Sequence, residues 1–321
     1  MIKTKLICIE GIAGSGKSST AQIIYYNLKK SGFNVKKYHE FSHPHPVHNF
    51  QFTNVRSWIN NTIINWKNLV NQIKITDEVI ILDGTIIQNS IENLITVNVD
   101  NEIILDYISK IETITKDLNP TLIYFYQDDP TQAIKDIYNQ REEEWKKKVT
   151  SYFENTQFCI LRNLKGFEGY ESFIQNFRKI SDKIFKSLSI SKISIENSDG
   201  KSTSGNQRRW FNYFNEISKF LDIEIVEASP QKNDYVGIYK RLSTEKEIEI
   251  KIDNNNFIEI LNFFPVKKWL SSKGEDLFFI RGKPYEVLFE RNELNEIKSL
   301  RTRIYTRDFE NKETVWLKVS C

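Results

Sequence analysis

Cysteine is nearly missing: the chain of 321 residues contains three, Cys8, Cys159 and Cys321. So small and odd a number excludes a disulfide framework and fits a reducing compartment. Charge of one sign is not in excess either, since 45 Lys and Arg stand against 42 Asp and Glu, a net +3. That balance excludes any strong demand for a nucleic-acid or anionic-membrane partner. The basic clusters Lys146-Lys-Lys148 and Arg208-Arg209 are short and read as solvated helix faces or phosphate contacts. No apolar run approaches the ~20 residues that cross a bilayer, and no apolar segment precedes the first strand. There is no internal repeat and no extended low-complexity tract. The expectation is a cytoplasmic protein with neither membrane nor nucleic acid among its partners, homo-oligomerisation remaining open.

What is present supports a packed protein, with 40% hydrophobic and 13% aromatic residues. A chain of this length is too long for one small core. Linker composition at Glu227-Ala-Ser-Pro-Gln-Lys-Asn-Asp234 divides it into two domains, 1–226 and 227–321.

Residues 11 to 18 read Gly11-Ile-Ala13-Gly14-Ser15-Gly16-Lys17-Ser18, directly after the apolar run Leu6-Ile-Cys-Ile9. That run suits a buried parallel strand, and Ile23, Ile24 and Leu28 then fall on one face of a helix. A glycine-rich turn between strand and helix offers several backbone N–H groups and the positive helix end to one anion. Gly11, Ala13, Gly14, Ser15, Gly16, Lys17, Ser18 and Ser19 are therefore the expected nucleotide-triphosphate contacts. Lys17 would reach the outer phosphates and the Ser18 hydroxyl would hold Mg²⁺.

From residue 1 to about 225, apolar strands alternate with helical patterns, which predicts an α/β fold with a parallel sheet covered on both faces. Further strands are expected over Asn34–Phe41, Val79–Leu82, Thr121–Tyr126 and Ile193–Glu196. Helices are expected over 50–74, twice within 85–118, from Pro130 onward, and over 206–221. Trp58, Trp66, Tyr25, Tyr26, Trp210, Phe211 and Phe214 mostly fall at helical spacing and read as core. The third strand ends at Asp83, followed by Gly84, where a doubly wound sheet opens its crevice. A carboxylate there can support Mg²⁺ or take the proton of an attacking hydroxyl; a simple turn-forming Asp-Gly pair is the alternative.

Ile9-Glu10-Gly11 running into the loop, with Asp83 after the third strand, resembles the thymidylate-kinase branch of the P-loop nucleotide kinases over roughly residues 3 to 222. The resemblance implies a P-loop NTPase sheet in the order 2-3-1-4-5, a lid after the fourth strand, and Mg-dependent transfer of the γ-phosphoryl group of ATP. It also implies that Arg141, in Asn139-Gln-Arg-Glu-Glu-Glu-Trp145, is a lid arginine; a surface arginine paired with Glu142 or Glu144 is the alternative. Asn197-Ser-Asp-Gly200 stands where these kinases place a loop touching adenine. One departure is Gly84, since kinases of this branch often carry arginine after the third-strand acid. The acceptor need not, then, be a nucleoside monophosphate.

All four histidines, His39, His43, His45 and His48, lie within ten residues and are broken by Pro44 and Pro46. The prolines forbid the helical spacing of a zinc-peptidase pair. An acceptor-lining loop, a plain loop and a metal site stay open here. Glu10, Glu40 and His43 are the candidate acceptor-lining residues.

Beyond residue 234, seven short alternating segments with turn residues between them predict an antiparallel meander, forming a small barrel or half-open sheet. Tyr235-Val-Gly-Ile-Tyr239 and Leu288-Phe-Glu-Arg291 resemble the small β domain appended to some serine-β-lactamase-like hydrolases. No histidine accompanies them, so no hydrolase activity is implied; a structural or regulatory cover is expected. The whole chain thus reads as an ATP- and Mg-dependent kinase with Lys17, Asp83 and Arg141 as catalytic residues, Ser18 and Asp83 holding the metal, and an unidentified acceptor. A regulatory nucleotide switch without a small-molecule acceptor is the competing expectation.

Overall fold

The computed structural model describes residues 2–40, 42, 44–48, 54–139, 141, 143–198, 207–224, 232–254, 257–264, 268–272, 276–280, 285–304 and 313–320. The chain divides into two units, Met1–Glu224 and Ile225–Cys321.

In the first unit, β1 (Leu6–Gly11) is buried at every position and leads into α1 (Lys17–Lys30). Then follow β2 (Asn34–His39), α2 (Val55–Ile75) and β3 (Glu78–Asp83). A π-helical turn, Thr85–Asn89, runs into α3 (Ser90–Thr96) and α4 (Asn101–Thr115). Next come β4 (Thr121–Tyr126), α5 (Pro130–Asn139), α6 (Glu143–Glu154), α7 (Gln157–Ile160), α8 (Gly166–Ser187), β5 (Ser191–Glu196) and α9 (Gln207–Leu221). The five strands are all parallel, in the order β2-β3-β1-β4-β5.

Burial on both faces explains why β1, β3 and β4 are runs of Ile, Leu, Val, Phe and Tyr with few polar interruptions. Helix α2 begins where Asn54 caps it, its Oδ1 accepting from the Ser57 N–H at 2.9 Å. Trp58, Thr62, Trp66, Leu69 and Ile73 form its buried stripe. Both tryptophans are core, as their spacing predicts; the side chains of Trp210 and Phe211 lie outside the described residues. Between 140 and 190 sequence pattern alone predicts no element, yet the structure has α6, α7 and α8. Cys159, expected in an irregular segment, is buried in α7 with its thiol on the Gly169 carbonyl.

Of the two expected forms, a small barrel or a half-open sheet, the second unit is the barrel, and it is larger than expected, with eight strands where the sequence pattern predicts seven. Its strands are β6 (Gly237–Arg241), β7 (Glu247–Ile252), β8 (Ile258–Leu261), β9 (Lys268–Ser272), β10 (Leu277–Ile280), β11 (Tyr285–Arg291), β12 (Ile297–Ile304) and β13 (Thr314–Ser320). Each pairs antiparallel with the next, and β13 pairs with β6, giving a closed eight-stranded barrel. The strand missing from the sequence expectation is β9, which joins β8 through Glu259↔Trp269 to β10 through Leu270↔Ile280. Without it the sheet has two open edges.

An eight-stranded barrel is narrow enough for side chains to fill it. Tyr239, Ile248, Ile250, Ile260, Phe278 and Phe289 are among the fully enclosed core side chains. Phe289 touches the rings of Tyr235, Phe278 and Tyr239 at centroid distances of 4.6, 5.4 and 5.9 Å. Phe289→Ala is expected to lower the barrel's unfolding free energy by about 3–5 kcal/mol through lost burial and a residual cavity. Urea unfolding measures this, and an unchanged midpoint would show that Phe289 does not pack as described.

Candidate functional site

The turn between β1 and α1 takes its shape from glycine. Gly11, Gly14 and Gly16 have φ of 148, 76 and 99°, and Gly16 is the left-handed residue that opens α1. At Gly11 a Cβ would stand 2.5 Å from the Phe125 carbonyl oxygen, and at Gly14 2.5 Å from Ile137 Cδ1. A side chain is therefore opposed by conformation at both positions, and at Gly11 also by the fixed backbone of Phe125. Asn197, just past β5, donates from Nδ2 to the Ser15 carbonyl at 2.7 Å and holds the turn from behind. That is its role in the described structure, whereas Asp199 and Gly200 of the same expected loop lie outside the described residues. The Ser15 hydroxyl is buried and has no hydrogen-bond partner. Ala13 and Ser18 are half-buried, Gly14 is exposed, and Ser19 is buried.

Lys17 opens α1 and is only 4% exposed. Its ammonium stands 3.7 Å from Glu40 Oε2, just beyond β2. Burial pushes the Glu40 carboxyl up to about 7; Lys17 opposes that rise and Asp83 adds to it. Asp83, at the end of β3, is wholly buried, and neither of its oxygens accepts a hydrogen bond. Burying a carboxylate in that state is costly. His39 lies beside it, with Nε2 3.7 Å from Oδ2. The same nitrogen lies 3.5 Å from Ser18 Oγ. Burial holds His39 down to about 4, so the ring bridging Ser18 and Asp83 is neutral near pH 7. Lys37 also faces Asp83: burial lowers it to about 8 and Asp83 opposes the fall.

Sequence pattern places His39 only within the histidine cluster, whose role it leaves open. Parallel register would have found it, because His39 is the direct partner of Asp83 across β2 and β3. Sequence pattern also left out Gln88 and Glu92, which reach the site from the π-helical turn and α3. Burial raises Glu92 to about 7, with Glu40 adding to the rise and Lys17 opposing it.

Glu10, expected to line an acceptor site, has another role. Its Oε1 accepts from the Thr85 and Ile86 N–H groups at 2.9 and 2.7 Å, and Oε2 accepts from the Gln88 N–H at 3.0 Å. The carboxyl thus anchors the turn that follows Asp83 and fixes where Asp83 and Gln88 sit. Burial raises Glu10 to about 7 against the pull of these amides. A carboxyl raised on folding contributes stability that is complete below its unfolded value, near 4.5, and is lost as pH rises through about 7. Wild type is expected to lose stability relative to Glu10→Gln over that window, at about 1.4 kcal/mol per pH unit at the steepest. Urea unfolding of both proteins at pH 5 and 7.5 checks it; a difference that does not change with pH would contradict it.

The remaining candidates separate. Arg141 follows α5, whose Ile137 packs on Gly14, and its guanidinium lies over the Trp145 ring at 5.1 Å from the centroid. Burial lowers it, and the Tyr170 phenol, which also feels Glu92, acts the other way. His45 organises its own loop, Nδ1 accepting from the Val47 and His48 N–H groups at 3.2 and 3.0 Å. Burial holds His45 down to about 3 and His48 to about 4. His43 lies outside the described residues. Among the described residues no group of three or more His, Cys, Asp or Glu side chains assembles a metal site. Nor is any described helix long and apolar enough to cross a membrane.

The site therefore combines a glycine-held turn at a helix start, the enclosed Lys17, a hydroxyl and a carboxylate facing each other across a neutral imidazole, and the Glu40 carboxyl poised near neutral pH. An arrangement of this kind can receive a polyanion, hold a hard cation through oxygen, and accept a proton. No protein-family description matches the chain, and no curated protein is similar to it at a significant level.

Proposed function

We propose that the first unit is a P-loop phosphotransferase that moves the γ-phosphoryl group of ATP to a small-molecule hydroxyl with Mg²⁺. One observation carries the reading: Gly11, Gly14 and Gly16 hold the turn open at the start of α1, with Lys17 and Ser18 in its first turn and the Asp83 carboxyl, which accepts no hydrogen bond, nearby. The loop amides and Lys17 bind the polyphosphate, and Lys17 leaves Glu40 to do so. The donor set fits Mg²⁺, because Asp83 has two buried oxygens with no donor and Ser18 offers a hydroxyl. When bound with the nucleotide, the ion neutralises charge developing on the phosphoryl oxygens.

Glu40, set near 7 by burial, is matched to take the acceptor's proton. The acceptor oxygen gives its proton to Glu40 Oε2 and forms a bond to the γ-phosphorus. The bond from that phosphorus to the β–γ bridging oxygen breaks, its electron pair leaving on ADP. Arg141, in the segment after α5, is assigned to the transferring group by the resemblance alone, since its described contacts are with Trp145 and Tyr170. Little covalent chemistry is required of the protein, so positioning and electrostatics supply the catalysis.

The test incubates the protein with γ-labelled ATP, Mg²⁺ and a cellular small-molecule extract. Label is expected in an organic product, and chelation of Mg²⁺ is expected to abolish transfer. Label recovered only as inorganic phosphate would replace the kinase reading with that of a nucleotide-hydrolysing switch.

A further inference from the structure

We infer that the acceptor is a hydroxyl-bearing molecule without a phosphate group, held by Glu40 and Gln88 above Gly84. The inference deepens the phosphotransferase reading and rests on it.

Gly84 follows Asp83 with φ 71°. A Cβ built there would lie 2.6 Å from Glu40 Oε2, 3.1 Å from Gln88 Oε1 and 3.2 Å from Lys17 Cε. Two side-chain oxygens thus converge on one point above the glycine. Both residues are 8% exposed, and neither oxygen has a hydrogen-bond partner. A buried acceptor atom left without a donor costs about 1–3 kcal/mol; Gln88 Oε1 is one such atom, and Glu40 Oε2 becomes one when the Lys17 ammonium, 3.7 Å away, moves to the polyphosphate. A molecule that satisfies both carries two donors, its reacting hydroxyl on Glu40 Oε2 and a second O–H or N–H on Gln88 Oε1. A hydroxyl supplies one; a phosphate, all acceptor oxygens, supplies none near neutral pH and would meet like charge from Glu40.

The surrounding elements hold this arrangement in place. Asn89 donates from Nδ2 to the Glu40 carbonyl at 2.8 Å, tying the end of β2 to the π-helical turn. The Gln88 main-chain N–H is fixed on Glu10 Oε2. Glu92 adds a further carboxyl that feels Glu40 and Lys17. The ammonium at this point is Lys17, which nucleotide binding draws to the polyphosphate. A side chain at position 84 is disfavoured by the left-handed backbone, so no cation is presented from there. Selectivity follows from that absence: the site matches donors and repels anions.

The experiment passes a cellular small-molecule extract over an anion-exchange resin, which retains phosphorylated metabolites. Each fraction is then offered to the full-length protein with γ-labelled ATP and Mg²⁺. Transfer to the flow-through fraction is the expected result. Transfer confined to the retained fraction overturns the inference while leaving the phosphotransferase reading intact. Transfer to neither fraction overturns that reading and this inference with it. Gln88→Leu removes Oε1 and keeps the N–H that Glu10 needs. With the flow-through fraction its apparent KM is expected to rise about tenfold, the loss of one buried hydrogen bond, at nearly unchanged maximal rate and unchanged Mg·ATP affinity. An unchanged KM would remove Gln88 from acceptor binding and overturn the two-oxygen cradle. Mg·ATP affinity reports that the variant is folded.

Discussion

Lys17→Ala is expected to lower phosphoryl transfer by about a thousandfold or more, roughly 4 kcal/mol of transition-state stabilisation. Lys17 is the enclosed ammonium at the start of α1, and the charge it faces grows as the phosphoryl group separates. The substitution is also informative because the fold tolerates it. Glu40 is already held near 7 by burial, and Lys17 opposes that rise. Removing the cation moves Glu40 further upward, so near pH 7 it becomes a neutral acid instead of a buried orphan charge. Thermal unfolding should shift by only a few degrees while turnover collapses. Turnover within tenfold of wild type would remove Lys17 from the catalytic machinery.

Asp83→Asn is expected to lower turnover by about a hundredfold to ten-thousandfold, the range seen when a single electrostatic or acid–base group is removed, while stability moves the other way. Asp83 is wholly enclosed at the end of β3 with two oxygens that accept no hydrogen bond. An amide of the same shape loses the buried charge, at the cost of its attraction for Lys37, and gains a donor facing His39, 3.7 Å away. The gain is of order 1 kcal/mol, a rise of about 2–4 °C in a unit of this size. A falling turnover with a rising midpoint is the mark of a residue kept for function at the expense of stability. Turnover and midpoint falling together would instead make Asp83 a structural residue.

Much of this site is written locally in the chain. The glycine-rich turn, its lysine and serine, and the acid after β3 are each contiguous with the strand or helix that places them. Composition and spacing alone therefore locate them. The rest depends on which strands become neighbours. His39 enters because β2 lies beside β3 in register, and Asn197 because β5 ends behind the loop. Glu10 illustrates a subtler limit: its position before the loop is local, but its three amide partners lie some 75 residues away. Nothing in Ile9-Glu10-Gly11 says that the carboxyl will anchor the turn after Asp83 and not face a substrate.

The barrel shows the same division. Alternating segments such as Glu247–Ile252, with Ile248 and Ile250 inside, declare themselves as strands. Lys268–Ser272 is short and carries Ser271 buried beside Leu270. It has no apolar–polar alternation, and it becomes a strand through the ladders offered by β8 and β10. Closure of a barrel is a property of the last pair, here β13 with β6, and sequence pattern carries no record of it.

A crystal structure of the protein with a non-hydrolysable ATP analogue and Mg²⁺ tests the central claim most directly. The polyphosphate is expected within the amides of residues 11–18, with Lys17 Nζ moved from Glu40 to the terminal phosphates and Asp83 facing the ion. An analogue bound elsewhere, with Lys17 still resting on Glu40, would contradict the account.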